Sequence, residues 1–293
     1  MEKVCYSDLL PWEFRERLAA RPVAYLPLGT LEWHGEHLPL GSDAIQSEGL
    51  MRECARRFGG IVMPPIHLGP DRAWDQGNGQ VLQGMDYADT TDPQRPLDGS
   101  CYWVSDGFFA TLVDAMLVQI KRAGFAAVFA DGHGPSRGAW VRAMPEREKR
   151  FGLKLMGVSD EVREAWTSQM DHAGRNETSL VLYYRPELVD LQRLDVDRDI
   201  WPQGVGGEDP RDGSGEYEGM YGKRGGAGGA AGGGVRRLTA RDNSGAGNGA
   251  AMRATAGRRP VRPESQLRLF VRFEFGLSRR PVALQAECAA FQR

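Results

Sequence analysis

Cysteine is scarce in this 293-residue chain: Cys5, Cys54, Cys101 and Cys288 lie far apart, with no Cys-x-x-Cys pair among them. That spacing excludes a disulfide framework or a zinc knuckle and predicts reduced thiols. No window approaches the roughly 20 apolar residues needed to cross a bilayer, and the opening Met1-Glu2-Lys3-Val4-Cys5 lacks the basic-then-apolar order of a secretion signal. The expectation is a cytoplasmic protein with no membrane partner. Net charge is also small, formally −2, but it conceals a division. Residues 223–293 hold 14 lysines and arginines against 4 acidic residues, which leaves 23 against 35 for the first 222. The acidic portion speaks against nucleic acid as a partner of the ordered domain.

Histidine is sparse as well, and four of the five histidines fall in three short stretches. The first is Leu26 to Asp43. Val23 to Leu28 is a short apolar run ended by Gly29, which reads as a buried strand feeding a loop. If Leu31 to Gly35 stays extended, Glu32 and His34 project to one side, and His37 and Asp43 can return to it past the Leu38-Pro39-Leu40-Gly41 turn. Carboxylate, imidazole and a second carboxylate facing one point form a set that Zn²⁺, Mn²⁺ or Fe²⁺ accepts. The second stretch, Asp131-Gly132-His133-Gly134, follows the apolar run Phe125 to Ala130, again a histidine just past a strand end. Ligands of parallel α/β sheets gather at that edge. The third is Asp171-His172-Ala173-Gly174-Arg175-Asn176-Glu177-Thr178-Ser179. Glu177 opens a helix there, a place that favours a carboxylate whether or not it binds a metal. The fifth histidine, His67, is a weaker candidate for a pocket wall.

Elsewhere the pattern alternates strands and helices. Helical spacing runs over Ser7 to Ala20, with Ser7 as a possible N-cap, and this helix is expected to cover the edge of the first strand. Further helices are predicted over Asp43 to Phe58 and Ser105 to Gly124, the latter with a broad apolar stripe. Ile61 to Met63 and Leu153 to Val158 read as strands, and Glu161 to Trp166 as a short helix. Strand, loop, helix, strand is the unit of a parallel sheet. Residues 66–101 are polar and turn-rich without a clear element, the mark of a functional loop or lid. Trp74, Tyr87, Tyr102 and Trp103 either line a pocket there or simply pack.

These stretches resemble the creatininase (creatinine amidohydrolase) family. Glu32, His34, Gly35, His37, Leu38, Pro39 and Asp43 match the family's opening Glu-x-His-Gly-x-His-Leu-Pro and its ligand aspartate in order and spacing. Asp131-Gly132-His133-Gly134 is similar to its Asn-Gly-His-Gly, and residues 172–179 hold all the fixed letters of His-Ala-Gly-x-x-Glu-Thr-Ser. The resemblance implies a three-layer α/β sandwich with a mostly parallel central sheet flanked by helices, in a hydrolase domain over residues 1–222. It implies two divalent metal ions, Zn²⁺, Mn²⁺ or Fe²⁺, and no organic cofactor. Glu32, Asp43 and His133 would hold one ion, and His34 with Asp43 the other, Asp43 bridging. The family's glutamate two residues after the third histidine is Pro135 here, so the second site recruits Glu177, uses water or binds weakly, and one metal remains open.

By the same resemblance His172 handles a proton near the substrate, with Asp171 orienting it. His37, Asp71, Trp74 and Trp103 are candidates for substrate contact, although Gly69-Pro70-Asp71 departs from the family's Gly-x-Ser. The implied reaction is hydrolysis of a cyclic or linear amide-like C–N bond in a small molecule, by a homo-oligomer such as a hexamer. Relatives that act as deformylases or on oxidised cyclitols keep other carbonyl compounds open. A metal-binding protein with a decayed catalytic set is the alternative from another class. After residue 222 the family's closing helix gives way to a Gly-, Ala- and Arg-rich run. It reads as a flexible basic arm or, preferably, as the product of a shifted reading frame.

Overall fold

A computed structural model describes residues 2–87, 95–157 and 172–195. Helix α1 (Pro11–Ala20) leads into strand β1 (Val23–Leu28), helix α2 (Ser42–Phe58) and strand β2 (Ile61–Val62). A small hairpin, β3 (Ala73–Asp75) and β4 (Val81–Gln83), precedes helix α3 (Asp106–Arg122). Strand β5 (Ala127–Gly132), helix α4 (Gly134–Phe151), strand β6 (Lys154–Met156) and helix α5 (Arg175–Tyr184) come next. Strands β2, β1, β5 and β6 form one parallel sheet in that order.

Successive side chains of a strand leave on opposite faces, and this divides the core in two. Val23, Tyr25, Val62, Phe129 and Met156 point one way and pack with Met51, Cys54 and Ala55 of α2. Ala24, Leu26, Leu28, Ile61, Val128, Ala130 and Leu155 point the other way, onto Phe109, Val113, Leu117 and Ile120 of α3 and Trp140 of α4. The result is the three-layer α/β sandwich. Because both faces are covered, β1 is buried at every residue and reads as a continuous apolar run without alternation.

The structure departs from the sequence pattern in several places. The first helix begins at Pro11, not Ser7, because Leu10 is extended and its N–H donates to the Glu13 carboxylate (2.7 Å), which closes the helix start from inside. Residues Tyr6–Asp8 make a single 3₁₀ turn. This helix does not cover an edge of β1, whose two edges are taken by β2 and β5; Phe14 packs on Phe125 instead. The third difference lies in the loop expected to lack structure, which holds the β3–β4 hairpin. Asp75 and Asn78 fold its turn by accepting the N–H groups of Gly77 (2.8 Å) and Gln80 (2.9 Å).

Strand β5 sits two residues later than its apolar run, so Asp131 and Gly132 pair with Pro27 and Leu28 and His133 follows at once. Gly132 has φ +147°, and a Cβ there would stand 1.8 Å from the Leu28 carbonyl oxygen. Only glycine admits that approach. Cys5, Cys54 and Cys101 are free thiols, and no helix among the described residues is long and apolar enough to cross a membrane. The expected helix over 161–166, Asp171, Cys288 and the tail 223–293 lie outside the described residues.

Candidate metal centre

Both β1 and β5 end at the same edge of the sheet, and the loops leaving them carry Glu32, His34 and His133. Helix α2 begins there too, placing Asp43 in its first turn. Glu177 arrives from α5, which lies against α2 because Gly49 leaves room for the Tyr184 ring, 2.5 Å from where a Cβ would be.

Three carboxylates and three imidazoles therefore converge. His133 Nδ1 lies 3.1 Å from Glu32 Oε1 and 3.2 Å from Asp43 Oδ2. His34 Nε2 lies 3.7 Å from Asp43 Oδ1, 3.7 Å from Glu177 Oε2 and 4.0 Å from Glu32 Oε1. His172 Nδ1 is 4.0 Å from Glu32 Oε1, and its ring lies 4.4 Å from that of His34. The groups Glu32/Asp43/His133, His34/Asp43/Glu177 and Glu32/His34/His172 each bring their ligand atoms within 4.8 Å of one another.

Second contacts fix which nitrogen faces inward. His34 Nδ1 donates to the Glu32 carbonyl (3.1 Å), leaving Nε2 to face inward. His133 Nε2 donates to the Pro70 carbonyl (3.3 Å), turning Nδ1 inward. His172 Nε2 donates to the Trp33 carbonyl (2.9 Å), which turns its Nδ1 towards Glu32. That carbonyl is itself held, since the Trp33 N–H donates to Ser100 Oγ (2.8 Å). Ala173, next to His172, is buried with φ +53°, a conformation a non-glycine residue holds only when its surroundings impose it. Its N–H donates to Glu177 Oε2 (2.6 Å).

The charges answer the geometry. Burial disfavours a charged His34, but the carboxylates of Asp43 and Glu177 outweigh it and push the imidazole up to about 10. Burial opposes a charged His133 in the same way, and Asp43 and Glu32 carry it well above its ordinary value. Asp43, despite burial, is held well below the usual carboxylate range by His34 and His133. Burial pushes the Glu32 carboxyl up. In His172, burial and then the charge of His34 push the imidazole down to about 3, so it stands neutral.

The donor set fits a divalent cation. Glu32 Oε2 and His34 Nε2 are buried and make no hydrogen bond among the described residues, an arrangement that is costly unless something else satisfies them. Imidazoles and carboxylates are the ligands of Zn²⁺ and Mn²⁺. The set opens into a cleft of about 610 Å³.

A family profile described as Creatininase: Creatinine amidohydrolase matches residues 8–259. The chain belongs to the creatininase family. Members of the creatininase family are amidohydrolases, which act on C–N bonds. Creatinine amidohydrolase of Pseudomonas putida is 27% identical over 215 residues, 66% of this chain and 77% of that protein. A mycofactocin precursor peptide peptidase of Mycobacterium ulcerans (strain Agy99) is 27% identical over 190 residues, 59% of this chain and 62% of the peptidase. A solved creatininase superposes with a TM-score of 0.54 at 20% identity, over 72% of this chain and 89% of that one. Creatininase has also been solved in an Mn form (22% identity, TM-score 0.53, 71% of this chain and 89% of that one). A mutant creatininase of Zn-Zn type shows the same likeness (21%, 0.53, 72% and 89%). At these identities the likeness to creatininase structures is one of fold.

Of the residues singled out by sequence, the structure brings together Glu32, His34, Asp43, His133, His172 and Glu177, and Asp71 joins the cleft wall. His37 does not reach the cleft. Its Nε2 meets Thr178 Oγ1 (2.9 Å) and its carbonyl accepts the Asp190 N–H (3.1 Å), so it ties the first motif to α5 and to the segment around Asp190. Trp74 lies in β3 opposite Leu82. Trp103 lies beside His133, ring centroids 5.7 Å apart and the rings tilted by 50°. His67 is exposed and stands apart from the cleft.

Sequence reasoning did not find the Ser100–Trp33–His172 chain of hydrogen bonds, a contact across 67 residues on one side and 139 on the other. Ser100→Ala leaves the buried Trp33 N–H without its acceptor and is expected to cost about 1–3 kcal/mol. Chemical denaturation measures it, with Ser100→Thr expected to restore most of the loss.

Proposed function

We propose that this protein is a metal-dependent hydrolase of a small, polar, amide-like substrate. The observation that carries the reading is the meeting of three imidazoles and three carboxylates at one sheet edge, each imidazole with its inward-facing nitrogen fixed from outside. Glu32, Asp43 and His133 would hold one divalent ion. His34, Asp43 and Glu177 would hold a second, Glu177 serving where Pro135 offers no ligand. When bound, such ions lower the pKa of water towards neutrality and polarise a carbonyl.

The chain's own part in the reaction falls to His172. Neutral, with its N–H engaged by the Trp33 carbonyl, it presents the lone pair of Nδ1 to the centre. A proton taken up at Nδ1 as water attacks is returned from there to the leaving nitrogen, which completes hydrolysis of the C–N bond. Helix α4 and the residue 69–72 loop wall the cleft and exclude bulk water from one side. The departure of that loop from Gly-x-Ser favours a substrate other than creatinine.

The test is turnover by the full-length protein, loaded with Mn²⁺ or Zn²⁺, on a panel of cyclic and linear amides, formamides and creatinine. Activity should vanish with a chelator and return with metal. His172→Ala should keep its metal and lose about 10²–10⁴-fold in rate. Bound metal without turnover on any C–N substrate, unchanged by His172→Ala, would instead support a binding protein.

A further inference from the structure

Helix α4 forms one wall of the cleft through Gly134, Pro135, Arg137 and Arg142. None of these four is acidic, and the wall begins at the helix N-terminus, the positive end of the helix dipole. Arg137 is largely enclosed, its side chain 23% exposed, yet among the described residues its guanidinium makes a single hydrogen bond, a long one to Asp131 (3.4 Å). A guanidinium carries five N–H donors, so most of those of Arg137 are unspent beside the cleft. Arg142 makes no hydrogen bond or ion pair among the described residues. Side chains on a helix lean towards its N-terminus, and Arg142 does so: its Nη1 lies 3.1 Å from where a Cβ on Gly138 would stand, in space that glycine leaves open. That lean carries the exposed guanidinium back along α4 over Gly138, the residue next to Arg137.

Six carboxylates line the same cleft, and five of them have a partner or face the metal centre. Glu32, Asp43 and Glu177 belong to the metal centre. Asp71 lies 3.9 Å from Arg72, and Asp131 is the partner of Arg137. Asp106 sits on another helix, in the first turn of α3.

Resting on the hydrolase reading above, we infer that Arg137 and Arg142 form a subsite for a carboxylate, and that the substrate is an amide bearing a carboxylate beside the bond cleaved. A planar carboxylate matches the guanidinium fork, and two such donors set its orientation. The subsite anchors the anionic end on α4 while the carbonyl faces the metal centre, so that it positions the scissile bond as well as selecting it.

The probes are N-acetylglycine and its neutral analogue N-acetylglycinamide, which differ only in the charged group. Binding of each to the full-length protein is measured by calorimetry in metal-loaded and metal-free forms, with metal content determined in parallel. The expected result is at least a tenfold preference for the carboxylate in both forms. In the Arg137→Gln/Arg142→Gln double variant the preference should fall below about twofold at unchanged metal content. Equal binding of the two probes would overturn the inference. So would a preference that survives in the double variant, since the carboxylate would then sit on the metal. A protein that binds no metal but shows the arginine-dependent preference would overturn the hydrolase reading and leave the subsite standing.

Discussion

Glu32→Ala is expected to abolish metal-dependent turnover and to weaken divalent-ion binding by more than about 100-fold. Loss of a group that only supports a ligand costs roughly 10–100-fold, and Glu32 does more than support. Its Oε1 touches His133 and approaches both His34 and His172, and its Oε2 is buried without a hydrogen bond among the described residues. Its carbonyl also orients His34, a contact that alanine keeps, so the variant should fold and isolate the side chain's effect. Metal content after dialysis, followed by competition with a coloured chelator, checks it. Wild-type metal content in Glu32→Ala would remove Glu32 from the ligand set and with it the proposed first site.

The second large effect is on folding. Gly132→Ala should cost more than about 3 kcal/mol, enough to leave little soluble protein, because φ +147° lies in a region that essentially only glycine occupies. The added methyl would also strike the Leu28 carbonyl, 1.8 Å away, and part β1 from β5 where they pair Leu28 with Gly132. His133 donates its N–H to that same carbonyl (2.7 Å), so the loop that carries His133 would move with the strands. Gly134→Ala, whose Cβ would meet nothing within 4 Å, serves as the control that should fold normally. Thermal denaturation of both distinguishes them, and equal stability would refute the account.

How much the sequence made legible depends on where the information lies. β1 and β5 are buried on both faces, so their apolar runs stand out. The stripe of α3 is broad enough to predict the helix nearly to its ends, Ser105 capping it by accepting the Phe108 N–H (3.2 Å). Of the six converging residues, Glu32, His34 and His133 follow strands and Asp43 and Glu177 open helices at one edge of a parallel sheet, whereas His172 is legible only through its resemblance to the family's His-Ala-Gly-x-x-Glu-Thr-Ser. Less visible were features decided by distant partners. His37 looked like a member of the site by spacing, but Thr178, 141 residues away, turns it to a tethering role. The first helix was placed too early because Glu13 caps it from within. The β3–β4 strands, three residues each, are too short to show an alternation. Arg137 was within reach of sequence reasoning, since it stands four residues after His133, one turn along α4.

Asp43 gives one oxygen to each side of the centre, Oδ2 towards His133 and Oδ1 towards His34. Two cations, if both were held there, would share this one carboxylate. Each would feel the other's charge, so filling one position lowers the affinity of its neighbour. The half-filled protein would then be a populated species over a range of metal concentrations, and a second, different element could complete it.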